Sequence, residues 1–288
     1  MATTVYPNFL LSAKINRLHF MLPILFAILV SLICAQFVLL SEPIRNSTAL
    51  FDGMSEFFVV ISILVISLLS IVSLFVFFRI FNKNPHFALR IVVAAFILGG
   101  MLSTLLFGKL VFSLLHLDSP LLLIVVAFVA YIGVYFAYLS IVDALSDRMK
   151  NLLFVFCSGS LGSFLGVLLP AVPVIGISLF LSVLDFLLIR RRTVENIVGE
   201  ETYEKLVFNV AISNQEWGIG IGDLTCYSMV VSSTSVTFGF SIGVVSLMLI
   251  LIGSLISLTL TLQRVRLPGL PIPIALGLIP LIMLLLFI

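Results

Sequence analysis

The stretch GIGIGDLTCYS, residues 218–228, places an acidic residue directly after a run of alternating glycines. The acid is Asp223, and from residue 238 onward the chain is mostly apolar. Because a charged side chain is costly to bury without a partner, the position of Asp223 indicates a specific role. The surrounding sequence indicates which kind of fold tolerates an acidic residue at this position.

Composition identifies the solvent of this fold. Of the 288 residues, 61% are hydrophobic and 10% are charged, and the mean hydropathy is +1.32, whereas a soluble domain is about 45–50% apolar and about 25% charged. Apolar runs of about 18 residues or more recur along the chain, and they are continuous rather than alternating, which predicts membrane-spanning helices and not a closed barrel. The basic residues are scattered between these runs, so the net charge of +2 does not indicate nucleic-acid binding.

At about 20 residues per span, the chain is predicted to be an all-α polytopic membrane protein. The first apolar run, of about 22 residues, is longer than the roughly 7–15 of a signal peptide, so we expect it to stay as an anchor. A single membrane domain over 1–288 would hold six helices within 1–192, a cytoplasmic loop over 193–216 and three helices within 217–288. The nine predicted spans are 19–40, 57–81, 88–109, 121–142, 151–170, 173–190, 217–237, 239–262 and 268–288.

The basic residues predict the orientation of these spans. With the N-terminus inside, thirteen of the fifteen lysines and arginines fall in inside segments, and only Arg45 and Lys109 fall outside. Since loops rich in lysine and arginine face the cytoplasm, we predict a cytoplasmic N-terminus and an extracytoplasmic C-terminus. The inside residues are Lys14, Arg17, Arg79, Lys83, Arg90, Arg148, Lys150, Arg190, Arg191, Arg192, Lys205, Arg264 and Arg266.

Two acidic residues lie within the apolar runs: Asp223, and Asp185 in SLFLSVLDFLLIRRR at 178–192. A charge at mid-membrane costs about 2.5–3.5 kcal/mol even on the insertion scale, so such residues usually face a protein interior or a water-filled cavity. Each lies about 8–9 Å from the inside end of its span, at about 1.5 Å per residue. Because the two spans are consecutive and antiparallel, we expect their carboxyls to meet at one depth. The alternative, that either aspartate reaches the interface from a helix end, is weakened by the short side chain.

Two carboxyl groups in one desolvated site do not both ionise readily, so one is expected to hold a proton while the other acts as a base. Aspartic proteases use this arrangement: the ionised carboxyl activates water and the protonated one polarises the scissile carbonyl. Three glycines, Gly218, Gly220 and Gly222, weaken the helix start and let another backbone approach. Beside Asp223 they indicate a place for an extended substrate strand, although glycines at this spacing also serve helix packing.

Three motifs now carry a resemblance to a known family. GIGD at 220–223 resembles the GxGD signature of presenilins and signal peptide peptidases, and Asp185 resembles the aspartate of the preceding helix in that family. PGLP at 268–271 resembles the family's PAL motif at the start of the ninth helix. The sequence departs from the family at Leu184, where tyrosine is usual, and at Gly269, where alanine is usual.

The resemblance implies a presenilin-like fold and intramembrane proteolysis, with Asp185 and Asp223 as the catalytic residues. It implies no metal and no organic cofactor, and the short loop resembles that of a compact microbial relative that works without obligatory partner subunits. The substrates would be transmembrane proteins, preferably with their N-termini outside, in a lipid bilayer; nucleic acid is not expected, and oligomerisation is left open. The residues expected to contact the substrate are Gly220, Ile221, Gly222, Pro268, Gly269 and Leu270.

Alternative interpretations remain at this point. A proton- or cation-coupled secondary transporter would also use two intramembrane aspartates and a glycine-broken helix, but it gives no reason for the segment 268–271 at the same depth, and the sequence shows no inverted repeat. An inactive scaffold would keep the fold and discard the chemistry. For Pro268 to Leu270, the alternative to substrate support is that the prolines merely start a helix.

Overall fold

The described part of the chain is built almost entirely of α-helices. The structure is a computed structural model, and it describes residues 17–40, 79, 85–114, 120–142, 144–191, 211–214, 217–262 and 269–287. Within these ranges there are eight helices and one two-stranded hairpin. In chain order they are α1 (Arg17–Leu40), α2 (Pro85–Leu114), α3 (Pro120–Val142), α4 (Asp147–Leu168), α5 (Ala171–Arg191), β1 (Ala211–Asn214), β2 (Trp217–Gly220), α6 (Ile221–Phe238), α7 (Phe240–Leu262) and α8 (Pro271–Phe287).

These helices coincide with eight of the nine predicted spans to within five residues at each end. The predicted second span, 57–81, lies outside the described residues except for Arg79, so the count of nine stays a prediction. One predicted helix began too early, and the residues before its true start form a strand. The helix expected from Trp217 begins at Ile221, because Trp217–Gly220 form a strand that pairs with Ala211–Asn214. Alternating glycines weaken a helix, and a paired strand satisfies their backbone groups instead.

Length and composition place the described helices in a membrane. Five of them, α1 to α4 and α7, are long and apolar enough to cross one, and α5 and α8 are shorter apolar helices. Their outer faces carry large apolar side chains that are more than half exposed, such as Phe26, Phe128 and Leu152. A continuous apolar surface of this kind is unfavourable in water and matches the hydrocarbon of a bilayer. The chain is therefore a helical integral membrane protein.

Helix α6 lies at the centre of the fold. It packs against α4, α1, α7, α8 and α5, and its residues from Cys226 to Ser235 are all buried. This buried stretch contains serine and threonine side chains, which hydrogen bonds can accommodate within a membrane bundle. Two of these bonds tie α6 to its neighbours: Ser31 Oγ of α1 donates to the carbonyl of Ser228 at 2.7 Å, and Ser232 Oγ donates to the carbonyl of Ser163 in α4 at 3.4 Å.

Small residues of α4 bring its backbone close to α6. A Cβ atom added at Gly162 would overlap the carbonyl oxygen of Thr225, and one added at Gly166 would overlap Ser232 Oγ and the carbonyl oxygen of Met229. Without a side chain at these positions, the two helices approach to backbone contact, as small residues commonly permit between membrane helices. These contacts hold α6 against α4 from Thr225 onward, directly after the turn that carries Asp223.

Helices α7 and α8 form a second close pair, and this pair places the segment before α8. A Cβ at Gly253 would lie 2.6 Å from the Cα of Pro273, and Ser246 Oγ donates to the carbonyl of Gly277 at 2.7 Å. Helix α8 also contacts both α6 and α5. Gly269 and Leu270, which directly precede α8, therefore lie between the two helices that carry the aspartates.

Candidate functional site

The site is built around the start of α6. Strand β2 pairs with β1 in antiparallel register, with Ile212 opposite Ile219, and both isoleucines are buried in the core. Gly220 ends the strand and serves as the N-cap residue of α6, with φ −62° and ψ 137°. Asp223 follows in the first helical turn, where the positive end of the helix dipole favours a negative charge.

The carboxyl of Asp223 lies between its own helix start and the segment before α8. It accepts a hydrogen bond from the backbone N–H of Gly220, so the residue that caps the helix also orients the acid. On the other side, a Cβ atom added at Gly269 would stand 2.8 Å from Asp223 Oδ2. This separation is shorter than van der Waals contact, so a side chain at Gly269 would require the carboxyl to move.

Asp185 enters the same region from α5. Its Oδ2 atom accepts a hydrogen bond from the backbone N–H of Leu270 at 3.3 Å. The neighbouring side chains Leu184 and Phe186 are 36% and 39% exposed, so α5 presents an apolar surface outward around this residue. The carboxyl itself is partly buried and points toward the segment before α8.

The structure brings both aspartates together with part of the proline-containing motif. Gly269 and Leu270 are adjacent in the chain, and each contacts a different carboxyl. Both carboxyls therefore lie against the same two-residue segment before α8.

Most of the backbone of Gly269 and Leu270 is already hydrogen-bonded within the protein. The hydroxyl of Tyr227 donates to the carbonyl oxygen of Gly269 at 2.9 Å, the N–H of Leu270 donates to Asp185, and the carbonyl of Leu270 accepts from the N–H of Ile274 at 3.1 Å. Three of the four backbone polar groups of these two residues thus have internal partners. In this conformation the segment supports the carboxyls and has little backbone left for pairing with a substrate strand.

Tyr227 was not singled out from the sequence as a site residue. It lies within the stretch 218–228, it is 3% exposed, and its hydroxyl reaches the segment that contacts both acids. A signal was present in the spacing, because residues four apart lie on the same face of a helix. Tyr227 follows Asp223 by that interval, so both side chains point toward α8.

The other predicted substrate-contact residues have differing surroundings. Ile221 is 6% exposed, and its carbonyl accepts hydrogen bonds from Thr225 Oγ1 at 2.8 Å and Ser158 Oγ at 3.4 Å, so it packs into the core. Gly222 is exposed, and a Cβ added there would meet nothing within 4 Å. Pro268 lies outside the described residues.

The two acids are not part of a larger cluster of metal-ligand side chains among the described residues. Across the described ranges, no group of three or more histidine, cysteine, aspartate or glutamate side chains could hold a metal ion. The two carboxyls face backbone N–H groups of Gly220 and Leu270 instead. Such donors orient a carboxyl and stabilise its charged form.

Comparison with known proteins finds a similar solved structure but no matching family model or curated sequence. No family model matches this chain, and no curated protein matches it either. Among solved structures, the chain is similar to one described as a presenilin family intramembrane aspartate protease. The two sequences are 16% identical, the alignment covers 94% of this chain and 99% of that one, and the TM-score is 0.49. The function proposed below rests on the geometry of this chain's own residues.

Proposed function

We propose that this chain is an intramembrane aspartyl protease that hydrolyses peptide bonds in the transmembrane segments of other membrane proteins, with Asp185 and Asp223 as its catalytic pair. The observation that carries the proposal is the contact of the adjacent residues Gly269 and Leu270 with one carboxyl each. Two acids held against one short backbone segment, on helices that meet inside an apolar bundle, fit acid–base chemistry better than structural packing.

The chemical step follows from the two carboxyls holding one proton between them. The ionised carboxyl removes a proton from a water molecule as the water oxygen attacks the scissile carbonyl carbon. The protonated carboxyl gives its proton to the carbonyl oxygen, which produces a neutral tetrahedral diol. Collapse of the diol returns a proton to the leaving nitrogen, breaks the C–N bond and restores one proton to the pair. Either aspartate can hold the proton at the start, because the proton belongs to the coupled pair.

A substrate helix hides its carbonyls in its own hydrogen bonds and has to unwind before cleavage. In the described residues, β2 pairs with β1 on one side only, so its second edge is able to accept an extended strand. Strand β2 ends at Gly220, directly beside Asp223. We propose that the substrate pairs along this edge and over Gly222, with Gly269 and Leu270 closing the opposite side of the dyad.

The predicted orientation completes the proposal. With a cytoplasmic N-terminus and an extracytoplasmic C-terminus, the dyad lies near the cytoplasmic ends of α5 and α6, and substrates with their N-termini outside would enter in the matching direction. We expect no obligatory partner subunit, as the resemblance implied.

The test is cleavage of a model transmembrane peptide by the purified protein in lipid vesicles, with products identified by mass spectrometry. Cleavage should require both Asp185 and Asp223, while Asp147→Asn serves as the matched control, because Asp147 is an exposed acid at the start of α4. An internal pH-sensitive dye in the same vesicles distinguishes the transporter. Proton or cation flux that depends on the two aspartates, without any peptide fragments, would overturn the protease proposal.

The pH dependence of cleavage gives a second, independent test. One proton shared between two carboxyls predicts a bell-shaped rate profile, because the doubly protonated and doubly ionised pairs are both inactive. A rate that rises through the acid range and never falls would contradict the shared proton.

A further inference from the structure

We infer that Tyr227 is a positioning residue, and that its hydroxyl holds Asp185 in place through a single peptide group. Its hydroxyl donates to the carbonyl oxygen of Gly269 at 2.9 Å, and the N–H of Leu270 donates to Asp185 Oδ2 at 3.3 Å. That carbonyl and that N–H belong to the same peptide bond. The inferred role in cleavage rests on the proposed function, whereas the hydrogen-bond relay itself does not.

The peptide group makes the relay stiff. A peptide bond is planar, and in its trans form the carbonyl oxygen and the amide hydrogen point in opposite directions. No peptide bond among the described residues is cis. Fixing the oxygen with Tyr227 therefore also sets the direction of the Leu270 N–H toward Asp185. Hydrogen bonds in such a chain also polarise one another, so each strengthens the next.

The relay joins the two catalytic helices. Tyr227 and Asp223 both belong to α6, while Asp185 belongs to α5. The tyrosine thus links the position of Asp185 to the helix that carries Asp223, through a segment that belongs to neither helix. Gly269 contributes at the same point by leaving room for Asp223 Oδ2. One peptide group, held by one hydroxyl, sets the relative positions of the two acids.

The surroundings of Tyr227 favour a fixed hydroxyl direction. The side chain is 3% exposed, and a buried phenol needs a hydrogen-bond partner. Ser254 of α7 donates its own proton to the carbonyl of Ile250 at 2.9 Å. The proton of the tyrosine is donated to the carbonyl oxygen of Gly269 at 2.9 Å.

Tyr227→Phe tests the relay by removing one oxygen atom and keeping the ring. We expect kcat to fall by about tenfold, the upper end of one hydrogen bond's net contribution, with KM changed by less than about twofold. Because the Leu270 N–H stabilises the ionised carboxylate, loosening it should also move the acid limb of the pH profile to higher pH. Tyr138→Phe makes the same chemical change at a tyrosine that is 61% exposed on α3 and should leave all three quantities unchanged.

A purely structural tyrosine predicts a different result. Loss of packing would lower the melting temperature and the active fraction together, with the pH profile and KM of the surviving enzyme unchanged, and that outcome would overturn the relay. If Tyr227→Phe does not fold, Leu270→Pro removes the N–H at the other end of the relay and leaves the tyrosine intact, and it should shift the acid limb in the same direction. An unshifted limb in a folded Leu270→Pro protein would then count against the relay.

An infrared titration separates this inference from the proposed function. Asp185→Asn identifies the carboxyl signal of Asp185 by difference in the intact protein in vesicles, with no substrate present. The titration midpoint of that signal should move upward in Tyr227→Phe and stay unchanged in Tyr138→Phe. If the native protein cleaves nothing while the midpoint moves, the protease proposal fails and the relay stands. If cleavage occurs and the midpoint is the same in Tyr227→Phe, the relay fails and the protease stands.

Discussion

Helices α5 and α6 each carry one aspartate of the candidate site, yet they lie in opposite surroundings. Helix α6 is enclosed by five other helices and is buried from Cys226 to Ser235. Helix α5 contacts α8 and α6 and exposes large apolar side chains such as Phe180 and Val183. Both aspartates are half-buried, but one is carried by an enclosed helix and the other by a helix whose outer face is exposed and apolar.

The difference shows why the segment before α8 matters. Asp223 is positioned by the packing of its own helix, whereas packing alone leaves α5 free on its outer side. The hydrogen bond from Leu270 ties Asp185 to the segment before α8. The geometry of the pair thus depends on a residue 85 positions away in the chain from one of its members.

The largest effect is expected from removing the acids. Loss of either carboxyl should reduce cleavage, although the two helices that carry them have different surroundings. Asp185→Asn and Asp223→Asn should each reduce cleavage by about 10²–10⁴-fold, the usual contribution of acid–base catalysis. Because the carboxyls act as one unit, the double variant should be no slower than the slower single variant. Rates of peptide cleavage measure this, and a double variant whose losses multiply would show two independent roles.

Two glycine-to-alanine substitutions, one facing α6 and one on α5, should show that α6 is more closely packed than α5. Gly166→Ala inserts a methyl group against Ser232 and Met229 of α6, and overpacking of this kind costs about 1–3 kcal/mol. Gly176→Ala on α5 meets nothing within 4 Å and should be neutral or stabilising by up to about 1 kcal/mol. Denaturation of both variants in detergent gives the comparison. Equal losses in the two proteins would contradict the central position of α6.

Gly269→Ala should act on catalysis more than on stability. The new methyl carbon would stand 2.8 Å from Asp223 Oδ2, so the carboxyl has to turn away from the Gly220 N–H. We expect kcat to fall by about tenfold, or about 1.4 kcal/mol, with a melting temperature close to that of the native protein. The family that the three sequence motifs resemble usually has alanine at the position of Gly269. An unchanged kcat would show that the carboxyl adapts to the methyl group.

The smallest effects are expected from replacing valine with alanine at one buried and one exposed position. Val230 of α6 is fully buried, and Val230→Ala should cost about 1 kcal/mol through lost dispersion contacts. Val183 of α5 is 58% exposed, and Val183→Ala should change stability by less than about 0.5 kcal/mol. Both are measured by denaturation in the same detergent, and a larger loss at Val183 would indicate a partner covering that face of α5.

Much of the fold could be predicted because membrane helices follow from local composition. Apolar runs located eight helices, and equal depth together with consecutive spans brought Asp185 and Asp223 together before any packing was known. The hairpin was missed, because a helix was assigned from Trp217 on hydropathy alone, and hydropathy does not distinguish a short paired strand from a helix start. The close packing of Gly162 and Gly166 was also missed, since their partners lie on a helix far along the chain.

By itself, the sequence determined the class of the fold and the positions of most helices, and it predicted the pair of acids, because hydropathy and residue spacing act over one or two turns of a helix. Only the tertiary structure decided what surrounds those acids. Tyr227 reaches a carbonyl 42 residues away, and Asp185 an N–H 85 residues away. Hydrogen bonds over such separations exist only once α5, α6 and α8 have packed, and their direction depends on the orientation of one peptide group, which no local pattern specifies.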